Sequence, residues 1–417
     1  MRICFYTENY VAGGVDSVIV NTINNWPSRR DEILLICNSS NEGLKKIIKK
    51  KIRRAYKLII PPLVLAHEVP QKISSSTIHS LGRILWFYGK YIMSIYNAIK
   101  LMRLLKEFNP DVLFIHNGGY PGAETAQVAA ISARFAGIKK RFMTIHNLAQ
   151  KPHLFQIFPE FVIDRLVENN ATLICVSKRG GMELKKNRFF NRDPLVIYNG
   201  VEEDSKISNP NLLRKKLGIR SDTKIVGMVG AVERRKGQED LLRALKILKE
   251  RGFPYSIKCL IIGKGTKENE KQIKKSIEAF DLNEVVVLCG FVESINDYYS
   301  IFDVVVLPST AYESCPMVIL EAMSKGIPII STDVGGVSEI ISNKYSGLIV
   351  PAGDPARLAE TLADILSDSQ LASKIGKNGR KEFLTRFTAK KMASEYYRLA
   401  SAPNRGYIVQ CATAFVL

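Results

Sequence analysis

Short apolar runs of four to six residues recur along the chain, each followed by a longer stretch in which apolar residues return every three or four positions. Runs of the first kind suit strands buried on both faces of a parallel sheet, and stretches of the second kind suit helices laid against it. In the first half, Ile3–Thr7, Glu32–Cys37, Val112–His116, Arg141–His146 and Thr172–Ser177 read as strands. The second half resumes at Lys224 and continues through Ile257–Ile262, Val285–Leu288, Asp303–Leu307 and Ile327–Ser331. Such alternation predicts a doubly wound α/β architecture, repeated in two domains. The break falls near Asn199-Gly200, after which residues 201–222 are polar and hold a short helix, Asn211–Leu217. Helical periodicity returns over Ala389–Ala400. The nearest approach to a membrane span is Leu81–Phe108, but Arg83, Lys90, Lys100, Arg103 and Lys106 recur within it, so it predicts an amphipathic helix.

The segment Tyr312–Ile341, YESCPMVILEAMSKGIPIISTDVGGVSEII, fixes two carboxylates eight positions apart around a helix start. The strand before it is closed by Pro308, which cannot donate to a ladder. Glu313 falls in the loop, Ser314 and Pro316 form a helix entrance with the proline pre-set for the first turn, and Lys325-Gly326-Ile327-Pro328 forms the exit. Glu321 therefore belongs to the second helical turn. At the carboxyl end of a parallel strand, a loop Glu and a helix Glu reach the crevice where open α/β sheets bind ligands, beside helix N–H groups suited to phosphate.

This arrangement, E-x7-E followed by EAM-x-x-G-x-P and GG-x-x-E, resembles the nucleotide-sugar half of the retaining glycosyltransferases of family 4. Three further segments fit: Val226-Gly227-Met228-Val229-Gly230 leading to Lys236-Gly237, VIYNGVE from Val196, and RICFYTENYVAGGVDSVIV near the start. The resemblance spans residues 2 to 387. It implies the GT-B fold, two doubly wound Rossmann-like α/β domains facing a cleft. Residues 1–200 would bind the acceptor, with 388–400 crossing back to them, and 201–387 would bind the nucleotide sugar; 401–417 fit neither.

The same resemblance implies roles for single residues. Glu321 would hold the ribose, Lys236 would offset the diphosphate, Glu313 with backbone amides of the following loop would hold the sugar, and Ser314, Pro316, Met317 and Val318 would line the donor site. Gly13 and Gly14 resemble the family's first glycine loop near donor phosphate, and His146 in MTIHN resembles a segment before the acceptor crevice, where it would bond the transferred sugar or its phosphate. The reaction would be retaining and would need neither metal nor redox cofactor; no Asp-x-Asp pair occurs. Where the family places an arginine directly after the strand-ending glycine, this chain has Ala231, leaving Arg234 or Arg235 to reach in from the loop.

Composition adds a bound and a charge asymmetry. At 417 residues, 46% hydrophobic and 24% charged, the chain is globular and long enough for two cores of about 200 residues. Residues 1–200 hold 29 of the 60 Lys and Arg but 14 of the 40 Asp and Glu, which places +15 of the net +20 in the first half. Much of it comes from KKIIKKKIRRAYK, Lys45–Lys57, which reads either as a solvated helix face or as an interfacial helix on an anionic membrane. Seven scattered cysteines show neither metal-ligand spacing nor a paired framework, and the first residues enter a strand with no apolar signal region, so a reducing cytoplasm is expected.

Other chemistry is excluded or left open. Gly263-Lys264-Gly265-Thr266 lacks P-loop spacing, and no G-x-G-x-x-G follows the first strand. Despite a pI of about 9.5, the chain carries no zinc-finger, helix-turn-helix or RNP-like pattern, so nucleic acid is not an expected partner. The expected partners are a nucleotide-sugar donor and a saccharide or lipid-linked acceptor in cell-surface polysaccharide or lipopolysaccharide synthesis. A non-catalytic nucleotide-sugar-binding or assembly protein of the same fold is the alternative, kept alive by Ala231. His116 also ends a strand, where a structural role is the commoner reading and a place in the site the lesser one.

Overall fold

The computed structural model of the protein describes residues 1–9, 13–39, 51–65, 79–203, 209–292 and 294–403, with backbone alone for 79–88, 90 and 91. The chain divides into two compact units: Met1–Asn199 joined by the helix Ala389–Ser401, and Gly200–Thr388.

The first unit is built on strands β1 (Arg2–Glu8), β2 (Glu32–Cys37), β3 (Lys57–Ile59), β4 (Val112–Asn117), β5 (Lys140–Ile145), β6 (Thr172–Cys175) and β7 (Leu195–Val196). They form one parallel sheet in the order β3-β2-β1-β4-β5-β6-β7. Ile3, Phe5, Ile33, Leu35, Phe114 and Phe142 are sealed within it, as expected where helices cover both faces. On one face Phe5 and Phe114 stack, Phe114 stacks on Phe142, and Trp26 meets both Phe5 and Phe114 edge-on. Helix Ala389–Ser401 completes this face: Tyr396 sets its ring edge-on to Phe114 and its hydroxyl 3.1 Å from Thr144 Oγ1, while Tyr397 packs on Trp26.

The second unit holds β8 (Lys224–Val229), β9 (Ile257–Ile262), β10 (Val286–Gly290), β11 (Val304–Leu307), β12 (Ile329–Thr332) and β13 (Leu348–Val350), parallel in the order β10-β9-β8-β11-β12-β13. The chain enters and leaves this unit side by side, Val201 N–H donating to Phe387 O at 3.1 Å. Helices begin where local chemistry dictates. Asp354 Oδ1 accepts from Arg357 N–H at 2.9 Å, with Pro355 in the first turn, and Ser177 Oγ caps Lys178–Asn187 by accepting from Gly180 N–H at 3.0 Å.

Several expectations need correction. The short edge strands β3, β7 and β13 carry too few residues to show a pattern of their own. The basic stretch Lys45–Lys57 lies outside the described residues up to Lys50; of its remainder Lys51 is helical, residues 52–56 are irregular and Lys57 opens β3. Tertiary bonds override helix propensity there. Asn24 Oδ1 accepts from Arg53 N–H, Asn24 Nδ2 donates to Lys51 O, and the Arg54 guanidinium donates to Trp26 O and Asp31 O. The long helix runs His79–Phe108, and no described helix is long and apolar enough to cross a membrane. Each described cysteine is a free thiol.

Candidate active site

In the second sheet, β8 and β11 are neighbours, and the chain winds outward from them in opposite directions, to β9 and β10 on one side and to β12 and β13 on the other. Their carboxyl ends form the topological switch point, where the following loops part and leave a crevice. Lys236 lies in the loop after β8, in a single 3₁₀ turn Arg234–Lys236, and Glu313 lies in the loop after β11. The two meet: Lys236 Nζ stands 2.5 Å from Glu313 Oε1, and Ser309 Oγ donates to the same oxygen at 2.7 Å. Arg235 takes Glu233 at 2.6 Å through Nη2 and brings Nη1 to 3.8 Å from Glu313 Oε1. Its carbonyl accepts from Thr310 N–H at 2.8 Å, tying one loop to the other. A carboxylate only 4% exposed is thus matched by Lys236, with Arg235 more distant, at the carboxyl ends of β8 and β11.

Glycines set this geometry where no other residue fits. Gly237 has φ +74°, and a Cβ there would fall 1.9 Å from Pro308 O; Gly335 has φ +60°, and a Cβ would fall 1.7 Å from Glu313 O. The GG-x-x-E stretch therefore acts as a clasp on the loop backbone at Glu313, with Gly336 N–H donating to the Glu313 carbonyl at 2.9 Å. Thr332 Oγ1, at the end of β12, donates to Ser309 O and fixes the same loop from its other side.

Helix Met317–Ser324 follows, with Ser314 and Pro316 buried just ahead of it. Pro316 occupies the capping position (φ −67°, ψ 122°) rather than the first turn, because its extended ψ turns the chain into the helix at Met317. The first-turn N–H groups, those of Met317 and Val318 among them, point along the axis away from the helix body, the arrangement that favours phosphate. Glu321, in the second turn, accepts from Tyr299 Oη–H at 2.8 Å through Oε2. Burial and the adjacent Glu321 raise the Tyr299 phenol well above its ordinary pKa, so it remains a donor. Ser309 and Tyr299 carried no sequence signal, since a serine after a strand and a tyrosine in a short helix are commonplace; only their contacts with the two glutamates reveal them.

The first unit has its own switch point between β1 and β4. Gly13 and Gly14 lie after β1, exposed, the Gly13 N–H donating to Asp16 Oδ2 at 3.0 Å as the helix Gly14–Asn24 begins. His146, expected beside Glu313 and Lys236 in function, belongs to this unit, and it pairs with His116. The rings stack, His116 Nδ1 lying 2.9 Å from His146 Nε2. Among the described residues, His116 Nε2, His146 Nδ1 and the neighbouring Thr7 Oγ1 are buried with no hydrogen-bond partner. Burial, and for His116 the second imidazole, lowers both pKa values, His146 to about 3.

A pH effect follows. Between about pH 6.5 and the depressed native values, the unfolded chain binds a proton at each histidine that the native state refuses, so stability falls with pH by about 1.4 kcal/mol per unit per histidine. Urea unfolding at pH 7 and pH 5 is expected to show a smaller pH dependence in His116→Gln/His146→Gln than in the parent. Equal dependence would contradict a neutral buried pair.

Residues 12–205 match the family described as Glycosyltransferase Family 4, and residues 210–382 match glycosyl transferases group 1. This chain belongs to glycosyltransferase family 4. The capsular polysaccharide biosynthesis glycosyltransferase CapM of Staphylococcus aureus is 27% identical over 298 residues, 69% of this chain and 77% of that protein. UDP-Gal:alpha-D-GlcNAc-diphosphoundecaprenol alpha-1,3-galactosyltransferase of Escherichia coli is 25% identical over 304 residues, 71% of this chain and 76% of that one. Against other curated relatives the chain spans about half of their length. Among solved structures, Anabaena HepE in complex with UDP-glucose superposes with a TM-score of 0.72 over 96% of this chain and 100% of that one, at 20% identity. The fold of this glycosyltransferase is GT-B, two parallel-sheet Rossmann-like units, and it is a glycosyltransferase of the kind found in bacterial polysaccharide biosynthesis.

Proposed function

We propose that this glycosyltransferase moves a sugar, with retention, from a nucleoside-diphosphate donor to a saccharide or lipid-linked saccharide acceptor at the cytoplasmic face of the cell membrane, in cell-surface polysaccharide or lipopolysaccharide synthesis. The observation that carries this reading is the Lys236–Glu313 pair at the β8/β11 switch point, followed eight residues on by Glu321 in a helix whose first turn can take phosphate. The relatives act on sugar carried by UDP or stand in capsule synthesis, which favours the same substrate class.

In this mechanism Lys236 and the first helical turn of Met317–Ser324 stabilise the charge that grows on the diphosphate as the C1–O bond breaks. Arg235 serves from the loop in place of the arginine absent at Ala231. Glu313 orients the sugar, and Glu321 takes the ribose hydroxyls. The acceptor oxygen bonds C1 on the face that the leaving group vacates, its proton passes to the departing phosphate oxygen, and nucleoside diphosphate is released. Positioning and charge stabilisation supply the catalysis without a resident metal or redox group.

The deciding experiment is a thermal-shift screen over uridine, guanosine and adenosine diphosphate sugars, followed by product analysis with the stabilising donor. A donor that binds the folded state raises the melting temperature. A shift without transfer or donor hydrolysis would favour the non-catalytic nucleotide-sugar-binding alternative, and no shift with any donor would refute the donor site. Within the site, Glu321→Ala is expected to weaken nucleoside-diphosphate binding by about ten- to a hundredfold, the value of a charged hydrogen-bonded contact. Tyr299→Phe, which leaves the carboxylate but removes the hydroxyl that orients it, should weaken binding less. Calorimetry with nucleoside diphosphate alone measures both; unchanged affinity in folded Glu321→Ala would refute the ribose assignment.

A further inference from the structure

The loop that joins β8 to the helix Gln238–Glu250 carries Glu233, Arg234, Arg235 and Lys236 in succession, on a backbone tied from both sides. Val232 N–H donates to Lys264 O at 3.0 Å and Asn269 Nδ2 donates to Val232 O at 3.1 Å, while Thr310 N–H donates to Arg235 O at 2.8 Å. Glu233 opens the 3₁₀ turn, its carbonyl accepting from Lys236 N–H at 2.9 Å. With the main chain held, a ligand arriving here is met by the side chains.

Two of these three cations are already taken. Arg235 Nη2 lies 2.6 Å from Glu233 Oε1, and Lys236 Nζ lies 2.5 Å from Glu313 Oε1. The two pairs differ in depth. The Glu313 side chain is 6% exposed and also accepts from Ser309 Oγ, whereas those of Arg235 and Glu233 are 32% and 35% exposed. Separating a buried pair strands a carboxylate away from water; separating a solvated one costs little, because water takes up both charges. The Glu233–Arg235 contact is therefore the one that gives way.

Charge decides what displaces it. Glu233, Arg234, Arg235, Lys236 and Glu313 set three cations against two carboxylates, and Arg234 is exposed. A nucleoside diphosphate adds further negative charge, and Ala231 leaves the start of the loop without an arginine to meet it. The Arg235 guanidinium already stands beside the Lys236–Glu313 pair, its Nη1 3.8 Å from Glu313 Oε1. To offer a phosphate oxygen the Nη2 N–H groups that now face Glu233, it must release that carboxylate; both acceptors suit the same fork.

We propose that Glu233 is a built-in competitor for the donor diphosphate: its carboxylate holds the Arg235 guanidinium, the diphosphate displaces it on binding, and it reclaims Arg235 as nucleoside diphosphate leaves. The proposal rests on the reading of this loop as part of the donor site and deepens it. Glu233 touches no substrate. It is a positioning residue that acts through Arg235 and sets how tightly the diphosphate is held.

The test is calorimetry with uridine, guanosine and adenosine diphosphate on the parent, Glu233→Gln, Arg235→Met and the double variant. For a diphosphate that the parent binds, Glu233→Gln should bind about fivefold more tightly, the equivalent of about 1 kcal/mol for a solvated ion pair no longer in competition. Arg235→Met should bind more weakly than the parent, and adding Glu233→Gln to it should change affinity by less than about twofold, because the competition passes through the guanidinium. In steady-state transfer Glu233→Gln should lower the donor KM with kcat no higher than the parent's, as expected when ground state and transition state are held more tightly alike. A carboxylate that merely held the loop would, when neutralised, raise KM and lower the melting temperature. Binding by the parent with no gain in Glu233→Gln, or the same gain with and without Arg235, would overturn the proposal and leave the donor site standing. Binding of none of the three diphosphates by the parent would refute the donor site itself, and the proposal with it.

Discussion

Lys236→Met is expected to lower turnover by about a hundred- to a thousandfold, the cost of removing one preorganised charge donor from a developing oxyanion. Nucleoside-diphosphate affinity should fall as well, because the diphosphate carries charge before the sugar leaves. The structure sharpens the comparison with Glu313→Gln. Lys236 Nζ is held by Glu313 Oε1, so neutralising the carboxylate releases the ammonium rather than removing it. Glu313→Gln should therefore bind nucleoside diphosphate at least as tightly as the parent while transferring sugar far more slowly. Lys236→Met also leaves a buried carboxylate with only Ser309 and the more distant Arg235, so its melting temperature should drop, and adding Glu313→Gln should restore part of it. Calorimetry, steady-state transfer and melting on the three variants give the full cycle. Parental transfer by Glu313→Gln would remove that residue from catalysis, and unchanged nucleotide binding by Lys236→Met would remove the lysine from the donor site.

Replacing Arg188 should have the largest effect on folding. Its side chain is fully buried, it satisfies Asp164 bidentately and Glu160 singly, and its guanidinium lies 5.0 Å above the Tyr120 ring. Arg188→Met would leave two carboxylates without their cation, a loss of about 3–5 kcal/mol. The triple variant Arg188→Met/Glu160→Gln/Asp164→Asn removes the stranded charges and is expected to recover much of that stability. Urea unfolding of the three proteins decides the matter: a parental midpoint in Arg188→Met would mean that the network contributes nothing, and no recovery in the triple variant would point to lost packing instead of lost pairing.

Much of this protein could be read before any coordinates. Ile3–Thr7, Ile257–Ile262 and Asp303–Leu307 are apolar runs of strand length, and burial on both faces of a parallel sheet permits little else, so the alternating order of strands and helices carried the fold class. The spacing of Glu313, Pro316 and Glu321 likewise placed one carboxylate in a loop and the other in the second helical turn, because helical periodicity is a local property. What the chain alone could not decide was every partnership formed across the sheets. Ser309 and Tyr299 have no pattern of their own, and they matter only because neighbouring elements bring them against Glu313 and Glu321. The two histidines read as separate candidates, yet adjacent strands stack them into one buried pair. Lys57 read as the end of a basic helix, but Asn24 and the carbonyls of Trp26 and Asp31 hold the preceding residues in an irregular path. In Leu154–Asn170 the local pattern shows apolar and acidic positions without saying which face turns inward. Arg188, eighteen residues beyond the helix, settles it by drawing the acids into the core: a buried charge must be met by its counter-charge, and that requirement, set by the tertiary structure, outweighs the tendency of aromatic side chains to avoid water.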